Sequence, residues 1–526
     1  MKTIERWGMF EVSLPGKSDG NPFTDYHISG VFRHEQETVT VDGFYDGEGV
    51  YRVRFMPSYE GVYSYEISGT FSGTETKGQF TASAPTGANH GPVRVANQYH
   101  LAYADGTLHY SVGTTCYAFA LQKQEIIDQT FLTLESSSFN KMRFCIFPKH
   151  YDFCLYDPEE FPYEGTPMDA GVLTRMNFSE YNGAGHGNKW NFKKFNPRFF
   201  QIYDRVIARL MDMGVEADLI LFHAYDRWGF SKMPMEDNLQ YLRYVSARYG
   251  AFRNVWWSLA NEYDLMGFSK DSWEQMAAEL VRHDPFHHLT SIHNCNSFYD
   301  YKKPWITHCS CQRIDLYKTT ESTDEMRKRY GKPVIWDEVG YEGNLPHCWG
   351  NFTPEELVRR GWEAVVRGGY CGHSETYLSD DAVIWWAHGG KIYGESAARF
   401  DFMRSFLEDV PGIGLKLWNA TDYYRMQWDD VIAVPESPEY FGQFYFYYYG
   451  LWRPAFRQIW IDDDTWFDVD IIDTWNMTIN PAGRHRGRFE IRLPGRQYIG
   501  VRLRKSLEQT GSSAEQPADG NNRIIK

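Results

Sequence analysis

Eight short apolar runs separated by helix-length segments fill the middle of this 526-residue chain, between about residues 93 and 415. Parallel strands joined by crossover helices give that rhythm, and eight such units close into a (β/α)8 TIM barrel. The runs predict strands at 108–114, 141–147, 217–222, 255–259, 289–293, 305–309 and 334–336, with the eighth at either 370–376 or 383–386.

Two of the runs end in a glutamate. Asn254-Val255-Trp256-Trp257-Ser258-Leu259-Ala260-Asn261-Glu262 closes the fourth, and Pro333-Val334-Ile335-Trp336-Asp337-Glu338 the seventh. Barrel active sites lie at the C-terminal ends of the strands. A retaining glycosidase needs two carboxylates there, a nucleophile and a general acid/base, about 5–5.5 Å apart.

The flanks follow a different period. Residues 5–84 alternate apolar and polar positions between turn signals, as in Gly61-Val62-Tyr63-Ser64-Tyr65-Glu66-Ile67, which predicts an N-terminal β-sandwich over 1–84. Residues 85–92 form a linker to the barrel at 93–415, and the β pattern returns in a small C-terminal β-sandwich domain over 416–505. A polar, flexible tail occupies 506–526. The aromatics of both flanks alternate with polar residues, as in Trp466-Phe467-Asp468-Val469-Asp470, so one set is expected to pack inside each sandwich rather than form a binding platform.

Charge narrows the ligand. Lys and Arg number 54 against 69 Asp and Glu, a net of −15, which argues against nucleic acid and membrane partners and favours a neutral ligand. The 17% aromatic content suits a carbohydrate surface. The eight cysteines lie mid-chain, several inside apolar runs, and read as reduced core thiols; neither a metal nor a cofactor is expected. The N-terminus lacks the apolar stretch of a signal peptide, so the expected location is cytoplasmic, and a homo-oligomer is left open.

Trp257-Ser258-Leu259-Ala260-Asn261-Glu262 and Ile335-Trp336-Asp337-Glu338-Val339-Gly340 resemble the fourth- and seventh-strand motifs of clan A retaining glycoside hydrolases. The resemblance implies Glu262 as acid/base, Glu338 as nucleophile, Asn261 as a partner of the sugar 2-hydroxyl, and Trp385 or Trp386 as an aromatic floor. Trp7-Gly8-Met9-Phe10-Glu11 and Ile472-Asp473-Thr474-Trp475-Asn476 further resemble the domains flanking the apiosidase-like glycoside hydrolases. Where that group carries a Gly-Asp-Thr-Ala-Trp type of motif, this chain has Tyr110-Ser111-Val112-Gly113-Thr114-Thr115.

Other candidates are positional: Arg143 in the second strand, supporting the nucleophile; His223 and Asp226 after the third; His293 and Asn294 after the fifth; His308 after the sixth; His373 and Glu375 near the eighth; and Lys149 and His150 after the second. The expected chemistry is double displacement on terminal sugars of small glycosides or plant-derived oligosaccharides. Two alternatives stand beside it: a non-catalytic carbohydrate-binding protein, and a metal-dependent barrel hydrolase, for which HxH and HExxH spacings are lacking.

Overall fold

The computed structural model describes residues 2–72, 75–183, 185–315, 317–418 and 430–507. The expected flexible tail lies outside them from residue 508 onward. The chain divides into two compact units, Met1–Leu417 with Pro435–Pro438, and Trp418–Val434 with Glu439–Lys526.

In the first unit, Lys2–Glu5, Thr76–Ser83, Gly61–Gly69, Ile28–Arg33 and Thr38–Tyr45 lie side by side. The last of these bends from one sheet into the next, pairing Gly43–Tyr45 with Val50–Phe55, which in turn pairs with Phe10–Pro15. The two layers meet over stacked rings, Phe10 on Phe80 at 4.0 Å and Phe32 on Phe55 at 4.2 Å. This is the β-sandwich. Tyr63 is fully buried while its neighbour Ser64 faces outward, as the period-two pattern requires.

The barrel strands are β1 (Gly113–Thr115), β2 (Lys141–Cys145), β3 (Glu216–His223), β4 (Val255–Asn261), β5 (Thr290–Ser291), β6 (Cys309–Gln312), β7 (Val334–Glu338) and β8 (Tyr370–Cys371). Parallel pairing runs in chain order from β1 to β5 and from β6 to β8. Two parallel bridges, His293 to Ser310 and Thr114 to His373, complete the ring. Several boundaries differ from the sequence expectation. β1 begins at Gly113 rather than 108, β6 spans 309–312 rather than 305–309, and the residues near 383–386 lead into a one-turn helix, Trp385–His388.

The helices wrapping the barrel start where the sequence supplies caps. Asn196 accepts from the Arg198 amide ahead of Pro197–Asp212, with Pro197 in the first turn; Thr353 accepts from the Glu356 amide ahead of Pro354–Val366, again with proline in the first turn. Among the described residues no α-helix separates β5 from β6.

Sandwich and barrel share a buried charge network. Arg248 of the barrel lies 2.8 Å from Asp46 of the sandwich and 2.5 Å from Asp204, and Arg54 of the sandwich lies 2.7 Å from Asp204. The Arg54 guanidinium also donates to the Arg248 carbonyl at 2.6 Å. Paired ions of this kind stay buried only while each has its partner.

The second unit is an antiparallel sheet in the order Val431–Pro435, Phe444–Tyr448, Ile499–Lys505, Phe467–Asp473 and Thr478–His485, with a two-stranded antiparallel pair of Phe456–Trp460 and Arg488–Arg492. Tyr445, Tyr447, Phe467 and Val469 enter its core.

Candidate active site

β2 alternates: Met142 and Phe144 are outward, while Lys141 and Arg143 point into the barrel. Lys141 Nζ reaches Asp337 at 2.5 Å and Asp218 at 3.0 Å, making a buried charged layer. One step higher, Arg143 Nη1 donates to Glu338 Oε1 at 3.0 Å. The same oxygen accepts from the Tyr117 hydroxyl and faces His293 Nε2 at 3.3 Å. Burial alone would raise the Glu338 pKa; His293, Arg143 and the Tyr117 hydroxyl outweigh it and hold the carboxyl well below the usual range.

Glu262 leaves β4 at a φ of +52°, a left-handed conformation that costs a non-glycine residue about 1–2 kcal/mol. Strain of this kind persists only where surrounding contacts fix it. Here the Tyr225 hydroxyl and the Asn261 amide (3.3 Å) donate to Oε2, and the Gln312 amide donates to Oε1 at 3.0 Å.

These contacts form a closed circuit around the barrel mouth. From Glu262 it passes to Gln312, whose Oε1 lies 3.1 Å from His293 Nε2, and on to Glu338. From Glu338 it returns through Tyr117, whose hydroxyl is 3.4 Å from Asn261 Oδ1, to Glu262. Arg143 is bonded directly to Glu338, whereas the hydrogen bonds to Glu262 come from the uncharged Tyr225, Asn261 and Gln312 side chains.

The loops build the rim. Lys149, after β2, lies over the rings of Tyr117 and Tyr225. Trp386 packs edge-on to Tyr117 at 5.4 Å and against Trp349 at 4.9 Å. Tyr151, in the segment between β2 and β3, packs on Tyr225, and its neighbour Asp152 meets His347 of the β7 loop at 3.0 Å.

Several sequence expectations need correction. Asp226 spends both oxygens on its own loop, accepting from the amides of Trp228, Gly229 and Ser231 and from the Ser231 hydroxyl, so nothing remains for a sugar. His308 precedes β6 and therefore sits at the opposite end of that strand from the glutamates, its ring against Trp256. Trp385 is not at the mouth: its indole donates to Thr114 at 2.8 Å. His373 stacks on Phe139 and Glu375 accepts from the Tyr393 and Gly394 amides, both away from the circuit, whereas Asn294 holds the backbone of Gln312, a member of the circuit. His150 is bonded to the Phe178 carbonyl.

His223 is bonded through Nε2 to the Phe147 carbonyl at 3.1 Å, leaving Nδ1 without a partner, and burial pushes the ring down to about 3. Tyr117, Tyr225 and Gln312 are the residues that sequence reasoning missed. With Gly113 set against the glycine of the Gly-Asp-Thr-Ala-Trp pattern, Gly113-Thr114-Thr115-Cys116-Tyr117 keeps the glycine, the threonine at Thr115 and a final aromatic, a signal that could have found Tyr117. No group of three or more His, Cys, Asp and Glu side chains suited to a metal occurs among the described residues.

An eight-stranded parallel barrel with buried glutamates closing its fourth and seventh strands defines the clan A class of glycoside hydrolases. A family model described as "Apiosidase-like, catalytic domain" matches residues 96–439, and the chain belongs to that family. Two domains of unknown function, DUF5060 and DUF5605, match residues 3–70 and 428–504. A structure described as "a putative glycoside hydrolase from Bacteroides vulgatus ATCC 8482" is 34% identical, covering 96% of this chain and 100% of its own, with a TM-score of 0.85. A family 5 glycoside hydrolase from the same organism shares the fold at 12% identity, covering 81% of this chain and 96% of its own, with a TM-score of 0.59. A search of curated proteins returns no match.

Proposed function

We propose that this protein is a retaining glycoside hydrolase in which Glu338 is the nucleophile and Glu262 the general acid/base. The observation that carries the reading is the asymmetry of the circuit: Arg143, His293 and Tyr117 keep Glu338 ionised, while Glu262 has only neutral donors. A nucleophile must be an anion at rest, and an acid must be able to hold its proton.

In the first step Glu338 attacks the anomeric carbon as Glu262 protonates the departing glycosidic oxygen, giving a glycosyl ester. In the second, Glu262 takes a proton from water as its oxygen attacks the same carbon, the ester bond to Glu338 breaks to return the carboxylate, and the original configuration is restored. Asn261, already bonded to both Tyr117 and Glu262, is poised for the sugar 2-hydroxyl. No cofactor enters either step. The contact of Asp152 with His347 joins two loops over one side of the site, which favours cleavage of terminal sugars from small glycosides or plant-derived oligosaccharides over cleavage within polymers.

Inactivation with a 2-fluoro glycoside of the accepted sugar, followed by peptide mass spectrometry, tests the assignment. The label is expected on Glu338; a label on another residue overturns it.

A further inference from the structure

Lys149 is only 4% exposed, yet its ammonium has no anionic partner. Among the described residues every other buried lysine or arginine has a carboxylate within 4.0 Å, as Lys141 has Asp337, Arg143 has Glu338 and Arg360 has Glu356. Lys149 has rings instead. Its Nζ lies 3.7 Å from the Tyr117 centroid, 3.9 Å from Tyr225 and 5.1 Å from Trp386. The negative ring faces hold the cation in place but offer its three N–H donors no oxygen acceptor.

The location gives this orphan charge its meaning. Tyr117 donates to Glu338 and Tyr225 donates to Glu262, so the ammonium stands one ring away from each glutamate. A sugar seated between the two carboxylates therefore lies beside Lys149.

We propose that Lys149 binds a carboxylate of the substrate, so that the sugar accepted between Glu262 and Glu338 is a uronic acid. The inference rests on the glycosidase reading of the site. An ammonium with three N–H donors, no protein oxygen acceptor and no carboxylate within 4.0 Å is best matched by an anionic ligand group. The net charge of −15 acts at long range and is screened beyond about 8–10 Å at physiological salt, so the local cation decides the preference. The proposal departs from the expectation of a neutral ligand drawn from overall charge.

The test uses uronic-acid-containing oligosaccharides and the same oligosaccharides after their carboxyls have been reduced to alcohols, which changes charge while keeping stereochemistry. Full-length wild type, Lys149→Met and Lys149→Arg are compared, with thermal melts confirming that each variant folds. Wild type is expected to release sugar from the acidic set at least tenfold faster, in kcat/KM, than from the reduced set. Lys149→Met should erase that preference mainly through KM, and Lys149→Arg should retain part of it. Binding of the acidic set to Glu338→Gln is measured separately by calorimetry. If no set is hydrolysed but the acidic set binds in a Lys149-dependent manner, the glycosidase reading fails and the carboxylate site stands. Hydrolysis of the reduced set as fast as the acidic one, with the ratio unmoved in Lys149→Met, overturns the carboxylate site and leaves the glycosidase reading intact.

Discussion

The Tyr117 hydroxyl donates to the same oxygen of Glu338 that Arg143 grips at 3.0 Å, so one carboxylate oxygen is loaded and the other is left for chemistry. Tyr117 comes from the β1 loop and Arg143 from β2, and the ring of the former also supports Lys149. With His293, which follows β5, charge at Glu338 is thus set from three different elements.

Replacing Tyr117 with phenylalanine keeps the ring and removes the donor. A hydrogen bond to a charged group is worth about 1.5–3 kcal/mol, which corresponds to roughly a 10–100-fold loss in kcat/KM. Because the donor lowers the Glu338 pKa, its loss should also move the acidic limb of the pH–rate profile upward. An unchanged acidic limb would remove Tyr117 from this role.

Glu262→Ala should slow glycosides with poor leaving groups far more than activated aryl glycosides, since only the former need protonation of the departing oxygen. Azide should rescue the second step and give a glycosyl azide of retained configuration. Equal losses on both substrate types, with no rescue, would place the acid elsewhere.

Arg248→Met removes the cation shared by Asp46 and Asp204. Breaking a buried pair costs about 3–5 kcal/mol, and the lower end applies here because Arg52 and Arg54 still reach the two aspartates. Denaturant unfolding measures this loss directly; a change below about 1 kcal/mol would show that the network contributes little.

Glu216, at the start of β3, is buried with one hydrogen bond from the Trp256 indole, and burial pushes its carboxyl up to about 8 from 4.5. The folded state therefore holds this proton where the unfolded state releases it. Its contribution is fully present below pH 4.5 and is lost as pH rises toward 8, with a slope of at most about 1.4 kcal/mol per pH unit. Glu216→Gln should gain stability relative to wild type across that window. A difference independent of pH would contradict the shift.

The strands that were legible in sequence are the longer, fully buried ones: β3, β4 and β7 carry the near-continuous apolar runs of buried parallel strands, and β2 is legible because Phe144-Cys145-Ile146-Phe147 extends its apolar residues beyond Arg143. β1, β5, β6 and β8 span only two to four residues, too short for a period to appear. That is why His308 was expected at the mouth and Gln312 overlooked, an error of four residues in one strand. Both glutamates were legible because each ends a long run. Lys149 was named from its place after β2, but its burial, like that of Tyr117 and Tyr225, depends on several loops closing together, where a polar aromatic or a lysine is ordinarily solvent-facing.

The Asp46–Arg248 contact also limits how this chain can be recombined. A sandwich transplanted from a relative would have to bring an acid opposite Arg248 and a base opposite Asp204, or else strand a charge inside the new joint. The N-terminal domain is therefore fitted to its own barrel like a key cut for one lock, and chimeras should fail at the seam before they fail at the chemistry.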